Sequence, residues 1–260
     1  MKNHNYIKQQ LAKEVANIEV KYFPTIGSTN DYLLEKEFIS KYHFCYADIQ
    51  TKARGRRGSK WIANDQDNVY ASLGFICDYN IAESKLMSVK VALGVFATIR
   101  KFLPKELQEN LKIKLPNDIY YKDQKIAGIL IETKNIKRDS FDVVIGIGIN
   151  VNMQDITENI DREWTSLAIV NNQQLNSSEV IIVLVKSIIK YFAISDELAM
   201  EEFSKYDYIL NKQIEFNYGE KTFSGFAKGV SDDLNLIIEK GGEIIKFELA
   251  NVNKIRVLSL

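Results

Sequence analysis

Proline is nearly absent from this sequence. Three prolines in 260 residues leave few obligatory breaks in regular structure. Cysteine and histidine number two each. Cys45 and Cys77 fit no CxxC or zinc spacing, and His4 and His43 stand alone, which argues against a zinc site and a histidine-based catalytic triad. So few thiols suit a reducing compartment. An excess of charge is also missing. The 34 basic and 34 acidic side chains cancel, which speaks against a globally basic nucleic-acid binder but leaves room for a local basic patch. No apolar run approaches the ~18 residues of a membrane span. The polar start, MKNHNYIKQQ, has no apolar signal core, and the N-terminal twenty residues are expected to be too short for a helix-turn-helix. The expectation is a cytoplasmic protein with neither a membrane nor a DNA partner.

What is present is an ordinary globular balance, 46% apolar and 26% charged. Alternation predicts strands over Ile18–Phe23, Cys45–Ile49, Val69–Cys77, Lys112–Leu115, Ile126–Glu132 and Asp142–Val151. Helices are expected over Ser84–Leu103, with Leu86, Val89, Leu93 and Phe96 on one face, and over Val180–Phe192 and Glu197–Tyr208. From about Tyr206 the texture changes to short alternating stretches with turns at Tyr218-Gly219-Glu220 and Lys240-Gly241-Gly242. This predicts a large α+β unit, residues 1–205, with a mixed, mainly antiparallel sheet and helices on one face. A small C-terminal SH3-like β-barrel, residues 206–260, follows.

Four segments carry candidate chemistry. Gln50–Trp61 (QTKARGRRGSKW) holds Lys52, Arg54, Arg56, Arg57 and Lys60 around Gly55 and Gly58. Guanidinium groups bind phosphates and carboxylates bidentately, and glycines let a backbone wrap a ligand. A solvated basic loop or an RNA-binding patch has the same texture. Lys114–Glu132 (KLPNDIYYKDQKIAGILIE) places Asn117 and Asp118 at a turn and Lys125 at the opening of a strand. In Asp142–Asn152 (DVVIGIGINVN), Gly146, Gly148 and Asn150 share the face opposite Val143, Ile145, Ile147 and Ile149. Two glycines there make a hollow in which a flat ring could lie. Gly27-Ser28-Thr29-Asn30 offers hydroxyls and an amide at a helix start.

In this order the four segments resemble the biotin protein ligases. That family's marks are an S-T-N turn, a G-R-G-R-R-G-x-x-W loop, a K-W-P-N-D turn followed by K-x-A-G-I-L-x-E, and a G-x-G-I-N strand. They stand here as Ser28-Thr29-Asn30, 53–61 (ARGRRGSKW), 114–118 (KLPND), 125–132 (KIAGILIE) and Gly146-Ile147-Gly148-Ile149-Asn150. Ala53 replaces the usual first glycine, and Leu115 replaces the usual tryptophan, which predicts a ring missing from the site wall. The match is to the short form without an N-terminal DNA-binding domain.

The resemblance implies activation of biotin with Mg-ATP to biotinyl-5′-adenylate, then transfer to a lysine of a biotin carboxyl carrier domain. It implies that biotin meets Ser28, Thr29, Asn30, Gln50, Arg54, Gly55, Arg56, Lys125, Gly128 and Leu130. The nucleotide would meet Arg56, Lys114, Asn117, Asp118 and Asn150. Lys125, Arg56 and Asp118 would be catalytic, and Asp118 would be the Mg²⁺ contact or the base for the acceptor lysine. Pairing through sheet edges would give a homodimer. The nearest rival is a lipoate-protein ligase or octanoyltransferase of the same fold.

Overall fold

The computed structural model describes residues 2–59, 61–63, 67–155 and 163–258. Its first sheet is built from β1 (Ile18–Ile26), β2 (Tyr42–Gln50), β3 (Val69–Cys77), β4 (Leu111–Lys114), β5 (Asp118–Tyr121), β6 (Gln124–Lys134) and β7 (Phe141–Ile149). The spatial order is β1-β2-β3-β7-β6-β5-β4. The β1–β2 pair is parallel and every other neighbouring pair is antiparallel.

One face of the sheet is a continuous apolar surface, because β-branched residues recur with period two. Val143, Ile145, Ile147 and Ile149 of β7 all point to it and are essentially buried. Helices α1 (His4–Glu14), α3 (Met87–Lys101), α5 (Ser177–Phe192) and α6 (Asp196–Ser204) belong to the core on that face. Ile7, Leu11, Leu93, Phe96, Leu184, Ile188 and Phe203 are among their fully or nearly fully buried residues. Each such side chain contributes roughly 1.5–3 kcal/mol of burial, so this layer is the rigid backing of the sheet.

Contrary to the sequence-based expectation, the helices are not confined to one face. The short α2 (Thr29–Glu35) lies on the opposite side, where Leu33 packs with Phe38, Cys45 and Val144 in a separate small core. Both of its ends are fixed. Ser28 Oγ accepts from Asp31 N at 3.3 Å, and Lys134 Nζ donates to Leu33 O at 2.8 Å and also to Lys36 O. A helix of this length is marginal alone. Its caps and its burial hold it over the sheet, and with it the residues of its first turn.

A five-stranded antiparallel sheet forms the C-terminal part: β8 (Gln213–Tyr218), β9 (Lys221–Val230), β10 (Asn235–Lys240), β11 (Glu243–Glu248) and β12 (Val252–Val257), ordered β11-β10-β9-β8-β12. The short α4 (Leu167–Asn171) precedes α5. Helix α6 ends at Ser204 rather than near Tyr208. The chain turns extended there and joins β4, with Ile113 N donating to Tyr206 O at 2.8 Å and Tyr208 N to Ile113 O at 2.9 Å. No helix among the described residues is long and apolar enough to cross a membrane.

Candidate active site

Beside the small apolar core under α2, the same sheet face is polar and poor in side chains. Two cross-strand rows form its floor. Register aligns Ser72 with Gly146 and Gly146 with Leu130. One step along, it aligns Tyr70 with Gly148, Gly148 with Gly128, and Gly128 with Asp118. The glycines remove the Cβ layer, so neighbouring groups descend onto the backbone. A Cβ on Gly146 would stand 2.3 Å from Asn30 Oδ1, and one on Gly148 would stand 2.5 Å from the Trp61 ring. Above this floor lies a cavity of about 350 Å³, within the usual range for small-molecule sites. The hollow read from the alternation is therefore real, and the ring over its second row is the protein's own indole.

At the Gly146 end the polar groups form one connected network. Thr29 N and Thr29 Oγ1 lie 2.7 and 3.0 Å from Gln50 Oε1. Ser72 Oγ lies 2.7 Å from Thr29 Oγ1 and 2.6 Å from Asn30 Oδ1. Asn30 Nδ2 donates to Glu132 Oε2 at 2.7 Å and weakly to Leu130 O at 3.4 Å. Ser28, Thr29, Asn30 and Ser72 are buried. Buried hydroxyls and amides are tolerated only when satisfied, so such a network keeps a defined geometry.

The middle of the cavity is governed by a β-bulge. Ile119 pairs with Ala127, but Tyr120 pairs with Lys125, leaving Ile126 as an extra residue of β6. Ile126 and Ala127 both enter the apolar core, and Lys125 is thereby turned to the cavity face. Lys125 Nζ lies 2.6 Å from Asp118 Oδ1 and 5.0 Å from the Trp61 ring centroid. Asp118 also accepts from Asn117 Nδ2 at 3.0 Å. Trp61 Nε1 is buried without a hydrogen-bond partner. Beyond the second row, Asn150 donates through Nδ2 to Thr165 O at 3.0 Å, beside Trp164.

The basic loop closes one side. Its base is pinned to the α2 entry, since Thr51 N donates to Ile26 O and Lys52 N to Gly27 O. Arg54 is committed to carboxylates. Its Nη2 lies 3.0 Å from both carboxylate oxygens of Glu132, and its Nη1 makes an ion pair with Asp31 at 2.6 Å. Burial works to lower its pKa, but the hydrogen bonds to Glu132 and Asp31 prevail and raise it. Arg57 takes a left-handed conformation (φ 54°) next to Gly58 (φ 74°), which turns the loop tip. Arg56 and Arg57 both donate to Ala250 O of the C-terminal part, at 3.4 and 3.2 Å. Burial, then the charge of Arg57, lowers the Arg56 pKa, with Asp118 opposing.

Most of the candidate residues thus border one cavity: Ser28, Thr29, Asn30 and Gln50 at one end, Arg54 and Gly55 above, Lys125, Gly128 and Leu130 along the floor, and Asn117 and Asn150 at the far end. Arg56, Lys114 and Asp118 are not part of the lining. Asp118 stands directly behind Lys125. Lys114, paired across the strands with Asp118, lies 4.7 Å from the Tyr120 ring centroid. Arg54 lies in an ion-pair cluster with Asp31 and Glu132. One expectation needs correction. Leu115 is buried in the main core and is no part of the cavity wall, so its replacement of a tryptophan takes no ring from the site. Lys60 lies outside the described residues. Trp61 and Trp164 line the cavity, and Ser72 and Glu132 organise it, though sequence reading gave none of them a role. Trp61 and Glu132 carried a signal, through their places in the loop motif and at the end of the K-x-A-G-I-L-x-E motif.

Among the described residues, no group of three or more His, Cys, Asp or Glu side chains could hold a metal ion. Asp118 is a single carboxylate. That fits a Mg²⁺ held mainly by the phosphates it accompanies, with one protein oxygen at most.

Residues 22–150 match the model of the biotin/lipoate A/B protein ligase family. The bifunctional ligase/repressor BirA of Escherichia coli is 28% identical over 242 residues, spanning 91% of this chain and 74% of its own length. The biotin–[acetyl-CoA-carboxylase] ligase of Mycobacterium tuberculosis is 26% identical over 216 residues, 81% of this chain and 78% of that one. The solved biotin protein ligase of Aquifex aeolicus in complex with biotin and ATP has the same fold, with a TM-score of 0.74 at 24% identity, covering 94% of this chain and 100% of that one. Residues 22–150 of the chain belong to the biotin/lipoate A/B protein ligase family.

Proposed function

We propose that this chain is an ATP-dependent biotin protein ligase: it joins biotin to AMP with release of pyrophosphate, then passes the biotinyl group to a lysine of a biotin carboxyl carrier domain. The observation that carries the choice of biotin within the family is the network at the Gly146 end. Thr29, Asn30, Gln50 and Ser72 offer buried donors and acceptors in a small volume. A ureido ring, with two N–H groups and a carbonyl, satisfies them. A lipoyl or octanoyl tail would leave them unpaired, which a binding site rejects strongly.

With the ring at Gly146, the valeryl chain runs along β7 past Gly148, about 7 Å per two residues, and its carboxylate reaches Lys125. The ammonium has three donors, so it can keep Asp118 and still hold the carboxylate. A carboxylate oxygen then attacks the α-phosphorus of ATP and pyrophosphate leaves. Lys125 and Arg56 offset the repulsion between the two anions and the charge that grows in the transition state. Asn117 and Asn150 orient the nucleotide, and Lys114 faces the phosphates from the sheet edge. Mg²⁺ accompanying the phosphates would supply further charge neutralisation, and Asp118 is the residue that would hold it if that carboxylate does not serve as the base of the second step. In the second step the acceptor amine attacks the acyl carbon and AMP leaves. The amine must be neutral, although a free lysine is mostly protonated at pH 7. Asp118 accepts or orients that proton. The basic loop keeps water from the mixed anhydride. Residues 1–205 form the catalytic unit and residues 206–260 a small barrel against which the loop tip rests. ATP as a substrate suits a reaction in the cytoplasm.

The test is pyrophosphate release from Mg-ATP with biotin and lipoate in parallel, followed by mass detection of the adenylate. Release with biotin and a biotinyl-adenylate mass is the expected result. Release with lipoate alone would transfer the chain to the other branch of its family.

A further inference from the structure

We propose that Glu132 is a positioning residue for the ring-binding end of the cavity: it sets the direction of the Asn30 amide, and Ser72 relays that setting to Thr29. The inference rests on the biotin ligase reading and deepens it.

Both oxygens of Glu132 lie 3.0 Å from Arg54 Nη2, and as a carboxylate Glu132 can only accept. It lies 2.7 Å from the Asn30 side chain, so the Asn30 Nδ2 must face it. Asn30 Oδ1 is then turned toward Ser72 and the Gly146 floor. Ser72 has one hydroxyl hydrogen and two oxygen neighbours, Asn30 Oδ1 at 2.6 Å and Thr29 Oγ1 at 2.7 Å. An amide oxygen has no hydrogen to give, so the hydrogen of Ser72 goes to Asn30. The 2.7 Å contact between the two hydroxyls then needs the hydrogen of Thr29, so Thr29 donates to Ser72. The hydrogen of Thr29 is thereby spent inside the protein, and its oxygen faces the cavity as an acceptor. Gln50 Oε1 is engaged by Thr29 N at 2.7 Å, which leaves Gln50 Nε2 as a donor.

The outcome is acceptors for ring N–H groups beside a donor for a ring carbonyl, the complement of a cyclic urea. Without an obligate acceptor at position 132, the Asn30 amide can turn over and present N–H where the ligand also has N–H. Arg54 contributes by holding the carboxylate in place, which gives its ion pairs a purpose other than phosphate binding.

The experiment compares wild type, Glu132→Gln and Ser72→Ala in steady-state pyrophosphate release, with KM for biotin, KM for ATP and kcat measured separately. Glu132→Gln keeps the shape but can donate. Ser72→Ala breaks the relay and leaves the Arg54–Glu132 pair intact. Both are expected to raise KM for biotin ~10-fold, about 1.4 kcal/mol, while KM for ATP stays within about twofold. A general loosening of the site would move both KM values and lower kcat together, and would overturn the assignment. An effect in Glu132→Gln without one in Ser72→Ala would overturn the relay and leave Glu132 as an anchor for Arg54 only. An unchanged biotin KM in both variants of an active enzyme would remove the inference and spare the ligase reading. Wild-type protein without biotin-dependent release would overturn the reading, and the inference with it.

Discussion

Lys125 and Asp118 meet at 2.6 Å because β6 carries one residue more than β5 between Ala127 and Lys125. Both side chains are nearly buried, at 13% and 11% exposure. Removing one member of such a pair leaves the other charged and poorly solvated. Lys125→Ala should therefore lower stability by on the order of 3 kcal/mol and slow adenylation ~10²-fold or more. The double variant Lys125→Ala/Asp118→Ala should regain much of the stability and none of the activity. Thermal unfolding beside pyrophosphate release checks both. A near-normal adenylation rate in Lys125→Ala would take Lys125 out of the chemistry.

The loop over residues 52–59 is held by ion pairs at Arg54 and by two hydrogen bonds at its tip, with little apolar burial. Such a segment opens locally at low cost. Its amides should exchange with deuterium faster in the free protein than with biotin and Mg-ATP bound. Arg54→Ala should speed exchange in the free state further. Equal exchange with and without ligands would show that the loop does not close on the adenylate.

Gly148→Ala puts a methyl group 2.5 Å from the Trp61 ring. The indole must leave the floor of the cavity, and the space under it is lost. The expected result is biotin binding weakened ~10-fold or more, a cost of at least about 1.4 kcal/mol, with the sheet intact. Calorimetric titration checks the first and thermal unfolding the second. Unaltered affinity would mean that Trp61 has no part in shaping the bound state.

Asp207 sits in the segment that joins β4, and burial pushes its pKa up from 3.8 to about 6, against a hydrogen bond from Ile209 N. A carboxyl with a raised native pKa favours folding while protonated. Its contribution is fully present below the unfolded value near 3.8 and is lost as pH rises through about 6. Asp207→Asn should thus stabilise the protein at pH 7.5, where the buried carboxylate is charged, by up to ~3 kcal/mol. It should have little effect near pH 4. Unfolding midpoints at the two pH values decide it, and a larger gain at the lower pH would contradict the assignment.

The sequence disclosed the site unevenly, for identifiable reasons. The hollow at Gly146 and Gly148 was legible because period two is a local property of a strand. The basic loop and the Ser28–Asn30 turn were legible because their residue types lie together in the chain. The direction of Lys125 was not. Simple alternation from Gly128 puts Lys125 on the core face, and only the bulge, a property of two strands together, reverses it. The roles of Ser72 and Glu132 were hidden for a related reason. Their side chains meet Asn30 across distances of 42 and 102 residues in sequence, on strands whose register no single segment states. The side of the sheet taken by α2 is not legible, because seven residues do not reveal which surface they cover. Leu115 adjoins Pro116 in the motif, but its side chain turns into the core, which adjacency in the chain does not disclose.

The chain contains two tryptophans, Trp61 and Trp164, and both border the same cavity. All of its indole emission therefore originates at the site. Substrate arrival can be followed optically in the unlabelled protein, on the timescale of a stopped-flow mixing experiment. The C-terminal sheet, which holds no tryptophan, contributes nothing to that signal. It could come apart with only tyrosine absorbance to record it, so a tryptophan-detected melting curve of this protein describes its cavity first and its fold second.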